Sequence, residues 1–249
     1  MRSWLLVRAD DPGAMATAFD AGADALVLDF AAADTTDALR AQATEALRAW
    51  RARRTADQQH PFLAVRLRGL TSAGIDADLD ALMLAQPDAV LLCATLKGAD
   101  VQHLGAKLAV REAENGLPDG VTRIIASAAD SGASIFGLGT YGGASRRLMA
   151  LTWSAKALAA DLRVDLHGDV SAAPVIMARN LLIYGAAAAG VLALDTDDGT
   201  TDLTEFEAAC QEARARGFSS KLARTADQVA IINRVFAPAP APHPRPPGG

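Results

Sequence analysis

Charged and polar residues stand at the ends of short apolar runs along this 249-residue chain, where chemistry could be gathered if the run ends meet. The runs end at Arg8, Asp29, Arg66 with Arg68, Cys93, Ala128, Trp153, Asp195, and Lys221 with Arg224. Arg66 could grip a carboxylate through two parallel N–H···O bonds, because the planar guanidinium matches that group. Its alternative is an ordinary surface salt bridge. Cys93 reads as a small buried hydrophobe rather than a nucleophile. None of His60, His103, His167 and His243 falls at a run end to activate it, which also counts against a triad or a His-ligated metal. Two further stretches imitate known motifs. "GLGTYGG" places Gly137, Gly139 and Gly142 at G-x-G-x-x-G spacing, but it runs into a strand instead of opening a helix. "DTDDGTTD" (195–202) resembles a calcium loop, yet its glycine comes one place early and no Glu occupies the twelfth place. Helix-capping acids are the expected role there.

Those run ends can meet only if the elements are arranged to bring them together. "SWLLVR" (3–8), "ALVLDF" (25–30), "FLAVRL" (62–67), "AVLLC" (89–93), "RIIASA" (123–128), "LMALTW" (148–153), "GVLALD" (190–195) and "SSKLAR" (219–224) read as strands. Segments of helical character follow, starting near residues 12, 36, 74, 99, 154, 203 and 226, with one more from about Pro174 to Ala189 before the seventh strand; after the fifth strand comes a Gly-broken segment from Ser131 to Gly143. Near-continuous apolar strands are buried on both faces, as in parallel sheets. Eight strand–helix units predict an α/β fold, a single (β/α)₈ TIM barrel with its site at the C-terminal strand ends; a doubly wound open sheet is the alternative. The barrel domain is expected over 1–236. The Pro-rich stretch "APAPAPHPRPPGG" (237–249) is expected to be a disordered tail.

Composition narrows the classes. A net charge of −5 and a pI near 5.4 argue against a nucleic-acid partner. Cys93 and Cys210 are too few for a disulfide framework. The start "MRSWLLVR" reads as neither signal peptide nor membrane span, so a cytoplasmic location and no membrane partner are expected. The core must be built of Ala, Val and Leu, since aromatics are only 5% of the chain.

The order of motifs resembles the HpcH/HpaI aldolase and citrate lyase β-subunit family, which includes malyl-CoA lyases. "RSWLLVRADDPGAMATAFDAGADALVLDF" is similar to that family's "RS-x-LFVPG…A…GADAVILDLED", and "LAVRLRGL" to its "VRIN" strand. "GFSSKLARTADQVAIINRVFAP" follows its "GF-x-GK-x-x-IHP-x-Q…N-x-x-F-x-P" ending without gaps. The resemblance implies a TIM barrel, an oligomer, and Mg²⁺-dependent cleavage or formation of C–C bonds in acyl-CoA or carboxylate substrates. It implies substrate binding by Arg66, with Asp29, Asp195 and Lys221 also at matching positions, as are Gln228 and Asn233. The family's metal-binding acids fall on Ala128 and Ala157, its acidic pair on Ala31 and Ala32, its Pro-Lys on Cys93 and Ala94, and its His-Pro on Thr225 and Ala226. Asp130 is the candidate substitute ligand. Ala supplies no oxygen to a hard cation, so no cofactor is expected here, although Mg²⁺ serves the family.

Two readings follow. One is a catalytically degenerate homologue that binds a carboxylate or acyl-CoA ligand, as a homo-oligomer or in complex with an active paralogue. The other is a working carbon–carbon lyase or thioester hydrolase whose metal is held by Asp29, Asp130 or Asp195.

Overall fold

The computed structural model describes residues 1–31, 35–54, 60–166, 173–196 and 199–238. In chain order the elements are β1 (Ser3–Arg8), α1 (Pro12–Ala18), β2 (Ala25–Asp29), α2 (Asp37–Ala52), β3 (Phe62–Leu67), α3 (Ile75–Met83), β4 (Ala89–Leu92), α4 (Gly98–Glu114) and β5 (Arg123–Ala129). There follow α5 (Gly132–Ile135), a 3₁₀ turn (Leu138–Thr140), β6 (Leu148–Trp153), α6 (Ala155–Leu162), α7 (Ala173–Ala189), β7 (Leu192–Asp195), α8 (Leu203–Arg216), β8 (Ser220–Ala223) and α9 (Ala226–Val235). The eight strands close into one parallel barrel in chain order, β8 pairing with β1. The expected tail, as well as Ala32, lies outside the described residues apart from Ala237 and Pro238.

Helix starts follow the sequence chemistry. The side chains of Asp11, Thr36, Ser154, Asp202 and Thr225 each accept a backbone N–H of the first turn they precede. Asp202 thereby takes the capping role expected of the Asp-rich stretch. In "GLGTYGG" the first glycine serves close packing. A Cβ on Gly137 would stand 1.8 Å from the Leu96 carbonyl oxygen, so only glycine lets this crossover seat on the loop before α4.

Strand parity divides the wall into two faces. Trp4, Ala25, Val27, Ala64, Ala89, Leu91, Ile125, Ala150, Leu194 and Leu222 form a cluster made of strand residues alone, the barrel interior. Their neighbours Leu5, Leu26, Leu28, Leu63, Val65, Val90, Ala126 and Leu151 join a larger cluster with Leu47, Leu79, Leu104, Leu158, Leu182 and Phe206 of the helices. That second cluster is the strand–helix layer. Which layer a polar side chain enters is therefore settled by one residue of register. No helix of the described residues is long and apolar enough to cross a membrane.

Candidate functional site

Inward parity carries Arg8, Asp29 and Arg66 to the same end of the barrel, where they are successive register partners on β1, β2 and β3. All three line a cavity of about 340 Å³, together with Ser127, Thr152, Trp153, Ser154, Lys156, Thr196 and Arg224, over an apolar floor of Leu6, Leu91 and Leu222. Arg66 Nη1 donates to Asp29 Oδ2 at 3.0 Å, and Asp29 Oδ1 accepts the Ala31 amide at 3.0 Å. Asp29 is buried while the Arg66 side chain remains 25% exposed to the cavity. Burial opposes the Arg66 charge, but the fields of Cys93, Asp29 and Asp130 more than offset this and hold the guanidinium above its ordinary pKa. The bond to Asp29 takes one nitrogen of a five-donor fork, leaving the rest of it for a ligand carboxylate.

Next to this arginine, burial pushes the Cys93 thiol up to about 12 although Arg66 pulls it down. A thiol that stays protonated at neutral pH is a poor nucleophile. Asp130, just after β5, is also buried. Its Oδ1 accepts from Ser127 Oγ at 2.6 Å and its Oδ2 from the Ala94 amide at 2.9 Å. Burial raises the Asp130 pKa despite these bonds and the field of Arg66. The Ala94 amide reaches it from a left-handed backbone, φ 53°, which alanine adopts only at some conformational expense.

The expected site residues divide by parity. Arg66 and Asp29 face the mouth. Asp195 and Lys221 face the other side of the wall, where with Trp153, Arg179 and Thr196 they line a second cavity of about 310 Å³. Lys221 is the second residue of β8, level with Ser3 at the start of β1. Both side chains point out of the barrel into the strand–helix layer, because their neighbours Leu194 and Leu222 occupy the inward positions. There Lys221 Nζ donates to Asp195 Oδ2 at 3.0 Å, Arg179 Nη2 to the same oxygen at 2.9 Å, and the Trp153 indole to Asp195 Oδ1 at 2.9 Å. Lys221 and Asp195 are both almost fully buried. Burial alone would lift the Asp195 carboxyl, but Lys221, Arg179 and Trp153 outweigh it and keep the pKa below the ordinary range. Gln228 and Asn233 likewise brace the scaffold: Gln228 bonds the Arg224 amide and the Thr200 carbonyl, Asn233 the Ser3 hydroxyl and the Gly22 carbonyl.

Ala128 lies on the wall side of its strand. Its methyl packs in the strand–helix layer, and the pairing of β5 with β6 shifts register between Ser127 and Ala129. Ser127 is the residue this strand turns to the mouth. Ala157 lies exposed in the first turn of α6, its amide bonded to Ser154 Oγ, while its neighbour Lys156 lines the cavity. Ser127, Thr152, Ser154, Lys156 and Thr196 line the cavity without being among the expected site residues. The available signal was a hydroxyl inside an otherwise apolar run, in "RIIASA" and "LMALTW".

A family-type Mg²⁺ does not fit these residues. Among the described residues three carboxylates, Asp11, Asp29 and Asp130, come near the mouth: Asp29 and Asp130 each already accept protein hydrogen bonds at both oxygens and act on the Arg66 cation, and Asp11 Oδ1 caps α1. Among the described residues no three His, Cys, Asp or Glu gather to hold a metal. Hard divalent cations need several uncommitted oxygens.

Residues 2–226 match the family of HpcH/HpaI aldolases and citrate lyases. The chain belongs to that family. Over 243 residues it is 27% identical to citrate lyase subunit beta of Leuconostoc mesenteroides subsp. cremoris, covering 95% of this chain and 77% of that protein. It is 28% identical over 188 residues to a (3S)-malyl-CoA thioesterase of Cereibacter sphaeroides, covering 75% of this chain and 61% of the thioesterase. Among solved structures, the protein CitE from Mycobacterium tuberculosis, in complex with magnesium, acetoacetate and coenzyme A, superposes with a TM-score of 0.72 at 21% identity, covering 96% of this chain and 81% of the other. At that identity the likeness is one of fold.

Proposed function

We propose that this member of the HpcH/HpaI aldolase and citrate lyase family binds a small carboxylate or the acyl part of a CoA thioester at its barrel mouth, without a family-type magnesium centre, as a catalytically degenerate homologue. The observation that carries this reading is Arg66, held at the mouth by Asp29 with donors of its fork left over. Arg8, Lys156 and Arg224 also line the cavity, against Asp11 and Asp29 as acids. Positive charge at this mouth therefore comes from side chains, which suits an anionic ligand. The names of the relatives, a citrate lyase subunit and a malyl-CoA thioesterase, support the same ligand class. An acyl-CoA would place its reacting acid at Arg66 and its phosphates toward the outer cations. Such a chain works as a ligand-binding homo-oligomer or beside an active lyase.

The rival reading, an active lyase or thioester hydrolase with a rearranged metal site, loses Asp195, which faces the opposite side of the barrel wall from Asp29. Thermal melting with succinate, malate and short acyl-CoA thioesters, in chelator and then in Mg²⁺, separates the two. A melting shift that is independent of Mg²⁺ and lost in Arg66→Ala supports carboxylate binding by the guanidinium. A shift that requires Mg²⁺, or one that is equal in wild type and Arg66→Ala, overturns it.

A further inference from the structure

Two hydroxyls on the mouth wall have opposite hydrogen-bonding character. Ser127 and Thr152 are direct register partners on β5 and β6, both inward, both lining the cavity that holds Arg66. Paired parallel strands lie about 4.8 Å apart, so the two hydroxyls share one patch of wall. Ser127 spends its proton on Asp130 Oδ1, at 2.6 Å, and its oxygen is left as an acceptor. Asp130 is fixed in turn by the Ala94 amide, so the serine cannot readily reverse. Thr152 is 2% exposed, and its Oγ1 has no hydrogen-bond partner. Among the described residues it is the one buried, unpartnered polar side chain that also lines the mouth; those of Trp4, Thr122, Ser220, Arg54 and Arg68 do not.

A buried hydroxyl without a partner has given up its hydrogen bonds to water for nothing, a penalty that a ligand supplying the partner relieves. Acceptor and donor side by side complement one group in particular, a hydroxyl, which donates to one neighbour and accepts from the other. An oxo group only accepts, and a methylene does neither.

We propose that Ser127 and Thr152 are the specificity-determining pair of the mouth, selecting a carboxylate that bears a hydroxyl over its oxo and deoxy counterparts, with Ser127 oriented by Asp130. This rests on the carboxylate-binding reading of Arg66, and the pair acts on ligand choice and not on the carboxylate grip itself.

Calorimetry on the full chain, in chelator, with malate, oxaloacetate and succinate as probes, tests it. Malate should bind roughly tenfold more tightly than the other two, the scale of one net hydrogen bond. Ser127→Ala and Thr152→Val should each bring malate down toward succinate while leaving succinate affinity unchanged, and Thr152→Ser should keep the preference. Asp130→Asn, which frees Ser127 to turn its proton toward the ligand, should weaken malate and spare oxaloacetate. Equal binding of the three probes by wild type, or a malate preference that survives both Ser127→Ala and Thr152→Val, overturns the proposal while carboxylate binding stands. Failure of wild type to bind any of the three overturns the Arg66 reading, and the selection with it.

Discussion

Two Asp–cation pairs in this barrel have the same construction and opposite surroundings. Asp29 is the register partner of Arg66, and Asp195 of Lys221, each pair spanning adjacent parallel strands with an oxygen–nitrogen distance of 3.0 Å. The first faces inward onto the cavity. The second faces outward between α7 and α8, with Arg179 and Trp153 completing its bonds, beside a separate cavity of about 310 Å³. Sequence likeness made both pairs candidates for ligand binding. Their surroundings differ in what is left for a ligand: Arg66 is 25% exposed at the mouth, whereas Lys221 is 2% exposed and Asp195 is shared by three protein donors.

The largest effect expected from this contrast is on stability. Asp195→Asn removes the common partner of Lys221 and Arg179 and should cost about 3–5 kcal/mol, read from urea midpoints, as when one member of a buried ion pair is deleted. Since the folded Asp195 pKa is depressed below the ordinary 3.8, its contribution is present above that value and is lost as pH falls through the folded pKa. Asp130, raised by burial, has the opposite sign: its ionisation opposes folding above the ordinary value, and that penalty fades as pH drops. The gap in stability between wild type and Asp195→Asn should therefore narrow in strong acid. A gap that is unchanged there, or an Asp195→Asn variant that keeps full stability and loses ligand binding, would move this pair back to the mouth.

Next in size is Ala128→Glu. With the methyl packed in the strand–helix layer, a carboxylate there should destabilise by about 2–4 kcal/mol instead of ligating a metal. Gain of Mg²⁺ affinity by Ala128→Glu with Ala157→Asp would show that this strand turns Ala128 to the cavity. Arg66→Ala should cost about 1.5–3 kcal/mol of carboxylate binding, the range for hydrogen bonds to a charged group, with a smaller change in the urea midpoint because the side chain is partly exposed. A larger loss of stability than of binding would make Arg66 a second Asp195-like strut. The smallest expected effect is none: calorimetric titration of wild type with Mg²⁺ should give no specific heat, and micromolar binding would mean that Asp29 and Asp130 release their protein donors to a metal.

By itself the sequence determined the alternation of strands and helices. Eight apolar runs, each followed by an amphipathic segment, match β1 to β8 to within about two residues. It also placed Arg66 and Asp29, which end inward-facing positions of uninterrupted strands. Tertiary structure decided the face of every other candidate. The reason is that a strand's period of two makes one residue of register exchange cavity for wall, and an all-apolar parallel strand carries no polar alternation to mark that register. Asp195 and Lys221 were thus turned outward by Leu194 and Leu222, and the irregular pairing after Ser127 put a serine where an alanine was expected. The unpartnered Thr152 hydroxyl beside it became visible only when the wall was closed.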